Sequence, residues 1–327
     1  MTTIKEVAKL AGVSVATVSR ALNNSGYVSE EARKKVESAV KELNFYPNEV
    51  ARSLYQKKSK LIGLLLPDIA NPFFPLIAKG VEDGVNQRGY SLLLGNVEDD
   101  LEKEKDYLKI FAQNNIAGVI SAVQGDIKDL QNMPFVLLDR VESDQNFSVH
   151  SDDYTGGMMA AEAIVSRDPE EIVIMVGPKE VPSSAARLAG NQKVLKDHQL
   201  DYQIFQTSSF KFELAEQTAE QFFDTYPNVD SVIASNDVYA IAVMKEALKR
   251  GRRIPEDVQI IGYDDMPFSR MMYPGLATIA QPAYEIGYRG AKLLCDILEK
   301  GFVEVSRIQL PVTLKIRESV RKKDEDE

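Results

Sequence analysis

TIKEVAKLAGVSVATVSRALN, running from Thr3 to Asn23, is the stretch from which the rest of the chain is read. Ile4, Val7, Ala8 and Ala11 recur at i, i+3, i+4 and i+7, which predicts one apolar face on a short helix. Gly12 ends that helix, because glycine accepts the left-handed conformation at a helix C-terminus. Val13 is a turn residue free to point inward, and Ser14 caps a second helix, Val15 to Leu22. Helix, glycine-containing turn and helix make the helix-turn-helix arrangement. The second helix hides Val18 and Leu22. It displays Val15, Ala16, Ser19 and Arg20, small and polar residues suited to a DNA groove. Ser29 to Leu43 read as a third helix with Val36, Val40 and Leu43 inside, and Ser29-Glu30-Glu31 puts a capping oxygen and negative charge at its start. The same spacing suits a three-helix bundle with no nucleic-acid partner, so the pattern alone leaves both readings open.

Composition bounds the remainder. A chain of 327 residues, 44% hydrophobic and 27% charged, is a globular protein of two or three domains. No apolar run is long enough for a membrane span, and the first residues lack the apolar core of a signal peptide. Cys295 is the single cysteine, so no intrachain disulfide forms; it sits in a predicted helix, Tyr288 to Leu298, as a small packing residue. These features predict a cytoplasmic protein with no membrane partner. The net charge of −10 is unevenly spread: residues 1–60 carry 11 Lys and Arg against 6 Asp and Glu, a net of +5, leaving −15 for the rest. A basic head on an acidic body is expected where only the head meets phosphate. Arg321 to Glu327 read as a frayed charged tail.

The Thr3–Asn23 string resembles, almost without a break, the N-terminal signature of the LacI/GalR repressor family. The resemblance implies DNA contacts from Thr3, Ser14, Val15, Ala16, Thr17, Ser19, Arg20 and Asn23. Val15, Ala16 and Arg20 would read the major groove, while Ser19 and Thr17 would touch phosphate. The segment Tyr46-Pro47-Asn48-Glu49-Val50-Ala51-Arg52-Ser53-Leu54 resembles the family's hinge helix. Pro47 disfavours helix at Tyr46, Asn48 can cap a helix that starts after it, and about two turns are too short to be stable alone. By the same resemblance Asn48, Ala51, Arg52 and Leu54 meet DNA, with Leu54 wedged between base steps in the minor groove. Arg52, Lys57 and Lys58 are placed for phosphate contact.

From Leu61 the pattern changes. Leu61-Ile62-Gly63-Leu64-Leu65-Leu66-Pro67 is an apolar run bounded by turn signals, which predicts a buried parallel strand. Similar runs recur at Leu92–Leu94, Gly118–Ile120, Phe135–Leu138, Ile172–Val176, Ser231–Ala234 and Val258–Gly262. Helical patterns lie between them, such as Phe73 to Arg88 with Ile77, Val81 and Val85 inside. Alternating strand and helix predicts an α/β body, and the strands are too many for one lobe. Two Rossmann-like parallel sheets in a periplasmic-binding-protein-like domain, behind an all-α helix-turn-helix head, is the expected fold. The expected boundaries are 1–47 for the head, 48–60 for hinge and linker, and 61–327 for the body. Within the body the N-lobe takes about 61–155 plus 283–313, and the C-lobe about 156–282 plus 314–327.

Ligands of such folds sit beyond the carboxyl ends of the strands. Asn71, Phe73, Phe74, Asp139, Arg140, Asn236, Asp264 and Gln281 follow predicted strands, and Arg187 and Phe210 lie in later loops or helix starts. Seven polar groups offer directional hydrogen bonds to hydroxyls, and three rings offer flat faces to sugar C–H groups. Taken singly, an Asp or Asn at a strand end equally well caps a helix. The body is also similar to periplasmic sugar-binding proteins, above all those for ribose, and to ribose operon repressors. The same ten residues then stand, in order, as pocket elements, with Phe210 interchangeable with Phe212. Sucrose and fructose repressors share several of them.

The resemblance implies a homodimer on a pseudo-palindromic operator in double-stranded DNA, with ribose closing the lobes and lowering operator affinity. A phosphorylated coregulator protein or another sugar is the alternative regulator. A solute-binding protein without DNA function is the alternative of another class. An enzyme is not expected: the chain has no G-x-x-x-x-G-K-[ST], no G-x-G-x-x-G after a predicted strand and no G-x-S-x-G. His150 and His198 stand in no motif, and the adjacent Asp152 and Asp153 would point opposite ways on an extended segment. No cofactor and no metal are expected.

Overall fold

The computed structural model describes residues 2–23, 25–45, 59–123, 133–142 and 147–323. The hinge positions Asn48, Ala51, Arg52 and Leu54, with Lys57 and Lys58, lie outside the described residues. The chain divides into two compact units, residues 1–59 and residues 60–327.

The first unit contains α1 (Ile4–Ala11), α2 (Val15–Asn23) and α3 (Glu30–Glu42). Gly12 closes α1 at φ 66°, the left-handed conformation its missing Cβ permits. Ser14 Oγ accepts from Thr17 N at 3.1 Å and so caps α2, and Ser29 Oγ accepts from Ala32 N at 3.3 Å at the start of α3. Val7, Ala8, Ala11, Val18, Ala21, Val36, Ala39 and Phe45 form the core, with Ile4, Val13, Leu22, Val40 and Leu43 packed against it. Arg33 Nη1 donates to Ala21 O at 3.1 Å, tying α3 to the last turn of α2.

Among its described residues the second unit has two six-stranded sheets. The first lobe contains β1 (Leu61–Leu66), α4 (Phe73–Asn86), β2 (Ser91–Asn96), α5 (Leu101–Gln113), β3 (Gly118–Ser121), β4 (Phe135–Leu138) and β5 (Ser148–Ser151). The second contains α6 (Asp153–Val165), β6 (Ile172–Val176), α7 (Pro182–Asp197), β7 (Tyr202–Gln206), α8 (Ala215–Thr225), β8 (Ser231–Ile233), α9 (Asp237–Lys249), β9 (Gln259–Asp264) and β10 (Ala277–Ala280). The chain then returns through α10 (Ala283–Lys300) and β11 (Arg307–Leu310) to the first lobe, and ends with β12 (Thr313–Lys315) in the second. The strand orders are β11-β5-β4-β3-β1-β2 and β12-β10-β9-β8-β6-β7. Every described pairing is parallel except β10 with β12. Three segments therefore cross between the lobes: β5 into α6, β10 into α10, and β11 into β12.

The apolar strands are buried on both faces, as parallel strands covered by helices must be. Ile62, Leu64 and Leu66 pack against Ile77, Val81 and Val85 of α4 and against Ile286, Leu294 and Cys295 of α10. Cys295 is fully buried, and burial pushes its thiol up to about 11. Two expectations change. The α10 helix begins at Ala283, five residues before the predicted Tyr288, because its first turn directly follows Pro282. Arg321 is not frayed: its Nη2 donates to Asp230 Oδ2 at 2.7 Å and its Nη1 to Asp168 O at 2.8 Å, so the tail is pinned at its base.

Candidate functional site

All ten predicted pocket residues line one cavity between the two lobes, with about 330 Å³ of space partly open to solvent. Each residue arrives there for a local reason. Asn71 Oδ1 accepts from Phe73 N at 3.1 Å, a side-chain turn that starts α4 and brings both rings to its first residues. Phe73 and Phe74 meet edge to face with centroids 5.3 Å apart. Asp139 and Arg140 directly follow β4, with Asp139 at φ 63°. Asn236 caps α9, its Oδ1 accepting from Tyr239 N at 2.9 Å. Asp264 ends β9 at φ 118°, a conformation rare for residues with side chains and found most often at functional sites. Gln281 follows β10 and its Nε2 donates to Asp264 Oδ1 at 2.7 Å. Phe210 approaches Gly177 so closely that a Cβ there would lie 2.1 Å from the ring's Cζ.

The site's electrostatics centre on Arg187 in α7. Its Nε donates to Asp153 Oδ1 at 2.7 Å and its Nη1 to Ser235 O at 3.3 Å, while the guanidinium lies 3.7 Å from the Tyr263 ring centroid. Burial opposes the charge, but Asp153 and the neighbouring acids outweigh it and hold Arg187 further above its usual value. Burial raises Asp153 to about 6 against the pull of Arg187. Asp264 is raised well above the carboxylate range, again by burial first, and Asp139 is raised by burial against Arg187 and Arg140. Arg140 Nη1 donates to Asp99 Oδ1 at 2.6 Å, and its guanidinium sits 5.6 Å from the Phe74 ring centroid. Glu98 and Asp99 both take φ 56°, in the left-handed region. Asp139 Oδ1 and Gln281 Oε1 are buried and have no partner among the described residues. Buried acceptors without donors, two guanidinium groups and three aromatic rings suit an uncharged molecule rich in hydroxyls.

Val181 and Ser183, at the start of α7, also line the cavity, and sequence reasoning misses them because nothing in Val-Pro-Ser-Ser marks them chemically. It also misses Asp153, which accepts from Arg187, and Tyr263, on whose ring the guanidinium lies. Asp152 and Asp153 do separate: Asp152 Oδ1 accepts from Thr155 N at 3.1 Å as the cap of α6, while Asp153 turns inward. His150 is buried in β5, where burial lowers its pKa, and His198 is exposed, 3.6 Å from Glu162. Among the described residues no cluster of His, Cys, Asp and Glu has the arrangement of a metal site. No described helix is long and apolar enough to cross a membrane.

On the first unit, Val15, Ala16 and Arg20 are exposed on α2, with Val15 at 41%. Other positions are partly engaged within the fold. Ser14 Oγ and Thr17 Oγ1 lie 2.9 Å apart, Asn23 Nδ2 donates to Ser19 Oγ at 3.3 Å, and Thr3 N and Oγ1 donate to the Glu6 carboxylate at 2.7 and 3.0 Å. The Glu6 carboxylate is held below its usual range by those bonds.

Known proteins align with both units. Residues 3–48 match the family described as bacterial regulatory proteins, lacI family, and residues 161–320 match the periplasmic binding protein-like domain. The chain is 50% identical over 327 residues to a ribose operon repressor of Bacillus subtilis, covering 99% of this chain and all of that one. A lac repressor dimer solved bound to operator and an anti-inducer is 28% identical, with a TM-score of 0.87 over 97% of this chain and 98% of that one. A LacI family transcriptional regulator from Enterococcus faecium solved with bound ribose is 30% identical, with a TM-score of 0.71 over 80% of this chain and 98% of that one. Half the residues shared with a repressor over its entire length, together with a matching head and body, mean that this chain belongs to the lacI family of bacterial regulatory proteins.

Proposed function

We propose that the chain is a sequence-specific transcription repressor whose affinity for operator DNA falls when ribose occupies the cavity between its lobes. The observation that carries this reading is the convergence of Asn71, Phe73, Phe74, Asp139, Arg140, Arg187, Phe210, Asn236, Asp264 and Gln281 on one cavity between the lobes. The Asp139 and Asp264 carboxyl groups exchange hydrogen bonds with sugar hydroxyls, the guanidinium groups donate to them, and the rings pack on the sugar's C–H faces. The full-length likeness to a ribose operon repressor, and the likeness over 80% of this chain to a ribose-bound regulator, favour ribose over fructose or sucrose.

The head, residues 1–47, carries DNA recognition: Val15, Ala16 and Arg20 read bases, Thr17 and Ser19 touch phosphate, and Thr3, Ser14 and Asn23 also meet DNA. The segment 48–60 is the hinge, with Asn48, Ala51, Arg52 and Leu54 on the minor groove, and 61–327 is the effector domain. Two chains pair on a pseudo-palindrome in the cytoplasm, and the protein turns over no substrate. Sugar and operator oppose each other by linkage, so each weakens the other by the same factor, roughly 5–150-fold for a coupling of about 1–3 kcal/mol. Calorimetry of the full chain against ribose, fructose, sucrose and hypoxanthine, with and without operator duplex, tests this. Ribose is expected to bind, and operator to weaken it. Tight binding of another of these compounds with none of ribose, or ribose strengthening operator binding, refutes the assignment.

A further inference from the structure

Arg187 also lines a second space, in the second lobe. Its walls are mostly apolar: Ile174, Met175 and Val176 of β6, Ala160 of α6, Leu188 of α7, and Ile233 at the end of β8. Three polar side-chain atoms enter it, Ser184 Oγ, Asn191 Oδ1 and Ser235 Oγ. The three residues are only 5%, 4% and 6% exposed, and none of these atoms has a hydrogen-bond partner among the described residues. They do not come from one loop. Ser184 and Asn191 stand seven residues apart on one face of α7, with Arg187 between them, and Ser235 faces them from the loop after β8.

The chemistry of the space is restrictive. Two hydroxyls both donate and accept, and the amide oxygen only accepts. The guanidinium of Arg187 in the same wall repels a cation, and its own charge is already met by Asp153. Apolar matter would leave three buried oxygens unsatisfied, an arrangement native proteins avoid. A small neutral molecule that donates and accepts, and makes two to four hydrogen bonds, satisfies all three.

We propose that this chamber is a binding site for ordered water, which bridges Ser184, Asn191 and Ser235 and thereby positions Arg187 for the sugar. The link is direct, since the main-chain carbonyl of Ser235 accepts from Arg187 Nη1 at 3.3 Å, and Asn236 of the sugar cavity is the next residue. Water that holds the Ser235 hydroxyl holds the loop that carries both. Ser184 and Ser235 are thus positioning residues: they act on the sugar through Arg187 and Asn236. The positioning role depends on ribose being the ligand of the cavity; the water site does not.

The test uses the full chain, crystallised with and without ribose, and the Ser184→Ala/Ser235→Ala double variant. Expected are water peaks within hydrogen-bond distance of at least two of the three oxygens in both wild-type crystals, and their loss in the variant. In calorimetry the variant is expected to bind ribose roughly 3- to 10-fold more weakly, the worth of about one hydrogen bond, while its sugar-free operator affinity is unchanged. A dry chamber, or side chains repacked so that the three oxygens pair with protein atoms, overturns the site. Water present with an unaltered ribose affinity in the variant overturns the positioning role, as does an equal loss of operator binding. If wild-type protein does not bind ribose at all, the sugar assignment and the positioning role fall together, and the crystals still decide the water site.

Discussion

Replacing Arg187 with alanine separates its two roles, because the structure gives the guanidinium a structural partner and a place in the cavity wall. On the structural side, Arg187→Ala leaves the Asp153 carboxylate, buried and formerly 2.7 Å from Nε, without its cation. Removing one member of a buried pair costs about 3–5 kcal/mol, and the lost stacking on Tyr263 adds up to roughly 2 kcal/mol. The cost depends on pH. Asp153 already sits near 6 with Arg187 present, against about 3.9 in an unfolded chain, and loss of the cation pushes it higher still. Its folded form therefore binds a proton that the unfolded form does not, so the variant's stability falls as pH rises through that raised value and recovers as pH drops toward 5. Urea melts of both proteins between pH 5 and 8 should show the destabilisation growing with pH. Arg187→Ala/Asp153→Asn removes the orphan charge and should recover most of the stability at pH 8. On the functional side, each lost charge-assisted hydrogen bond to ribose is worth about 1.5–3 kcal/mol, roughly 10- to 150-fold in affinity. The double variant does not recover that loss, and operator binding measured by fluorescence anisotropy stays near wild type and becomes insensitive to ribose. Ribose affinity in the double variant within about threefold of wild type would refute the role of Arg187 as a sugar donor. A stability loss with no pH dependence would refute the ion-pair argument.

Other perturbations read other parts of the molecule. Gly177→Ala places a Cβ 2.1 Å from Phe210 Cζ and 2.5 Å from Ser184 Oγ, so the ring must retreat; overpacking of this kind costs about 1–3 kcal/mol, and calorimetry should show weaker ribose binding with operator affinity intact. Ser14→Ala removes the cap of α2 and should cost about 1 kcal/mol, seen as weaker operator binding with an unchanged ribose titration; weaker ribose binding would contradict it. Asp99→Ala removes the carboxylate that accepts from Arg140 Nη1 at 2.6 Å. The Asp99 side chain is 44% exposed, so ribose affinity measured by calorimetry should fall by a modest factor, about fivefold, worth roughly 1 kcal/mol.

The pocket was legible because the strands that lead to it are the most apolar in the chain. Leu61–Leu66, Phe135–Leu138 and Ile172–Val176 announce parallel strands by composition alone, and the carboxyl-end rule then points at Asn71, Asp139 and Arg140. Four strands carried no such mark. Ser148–Ser151 reads Ser-Val-His-Ser, and its serines and histidine are buried only because neighbouring strands and α10 cover them. Tyr202–Gln206 and Arg307–Leu310 are outer or half-exposed strands with polar residues interspersed, and Thr313–Lys315 is three residues long. Their place in the sheets comes from tertiary pairing, which no local pattern encodes. The same holds for Asp153 and Tyr263. Nothing near them in sequence foretells that an arginine more than thirty residues from Asp153 will lie between them.

The three crossings between lobes carry a consequence for synthesis. The sheet begun by Leu61–Leu66 acquires its outermost strand only at Arg307–Leu310, and α10, which supplies Ile286, Leu293 and Leu294 to the same core, comes after the whole of β6 to β10. A ribosome must therefore release nearly the entire polypeptide before the first lobe can close, while the second lobe's central strands are complete earlier. A nascent chain arrested near residue 282 would carry an uncovered leucine-rich sheet, a sticky target for chaperones and proteases, and a late nonsense mutation should abolish the protein rather than leave a working half.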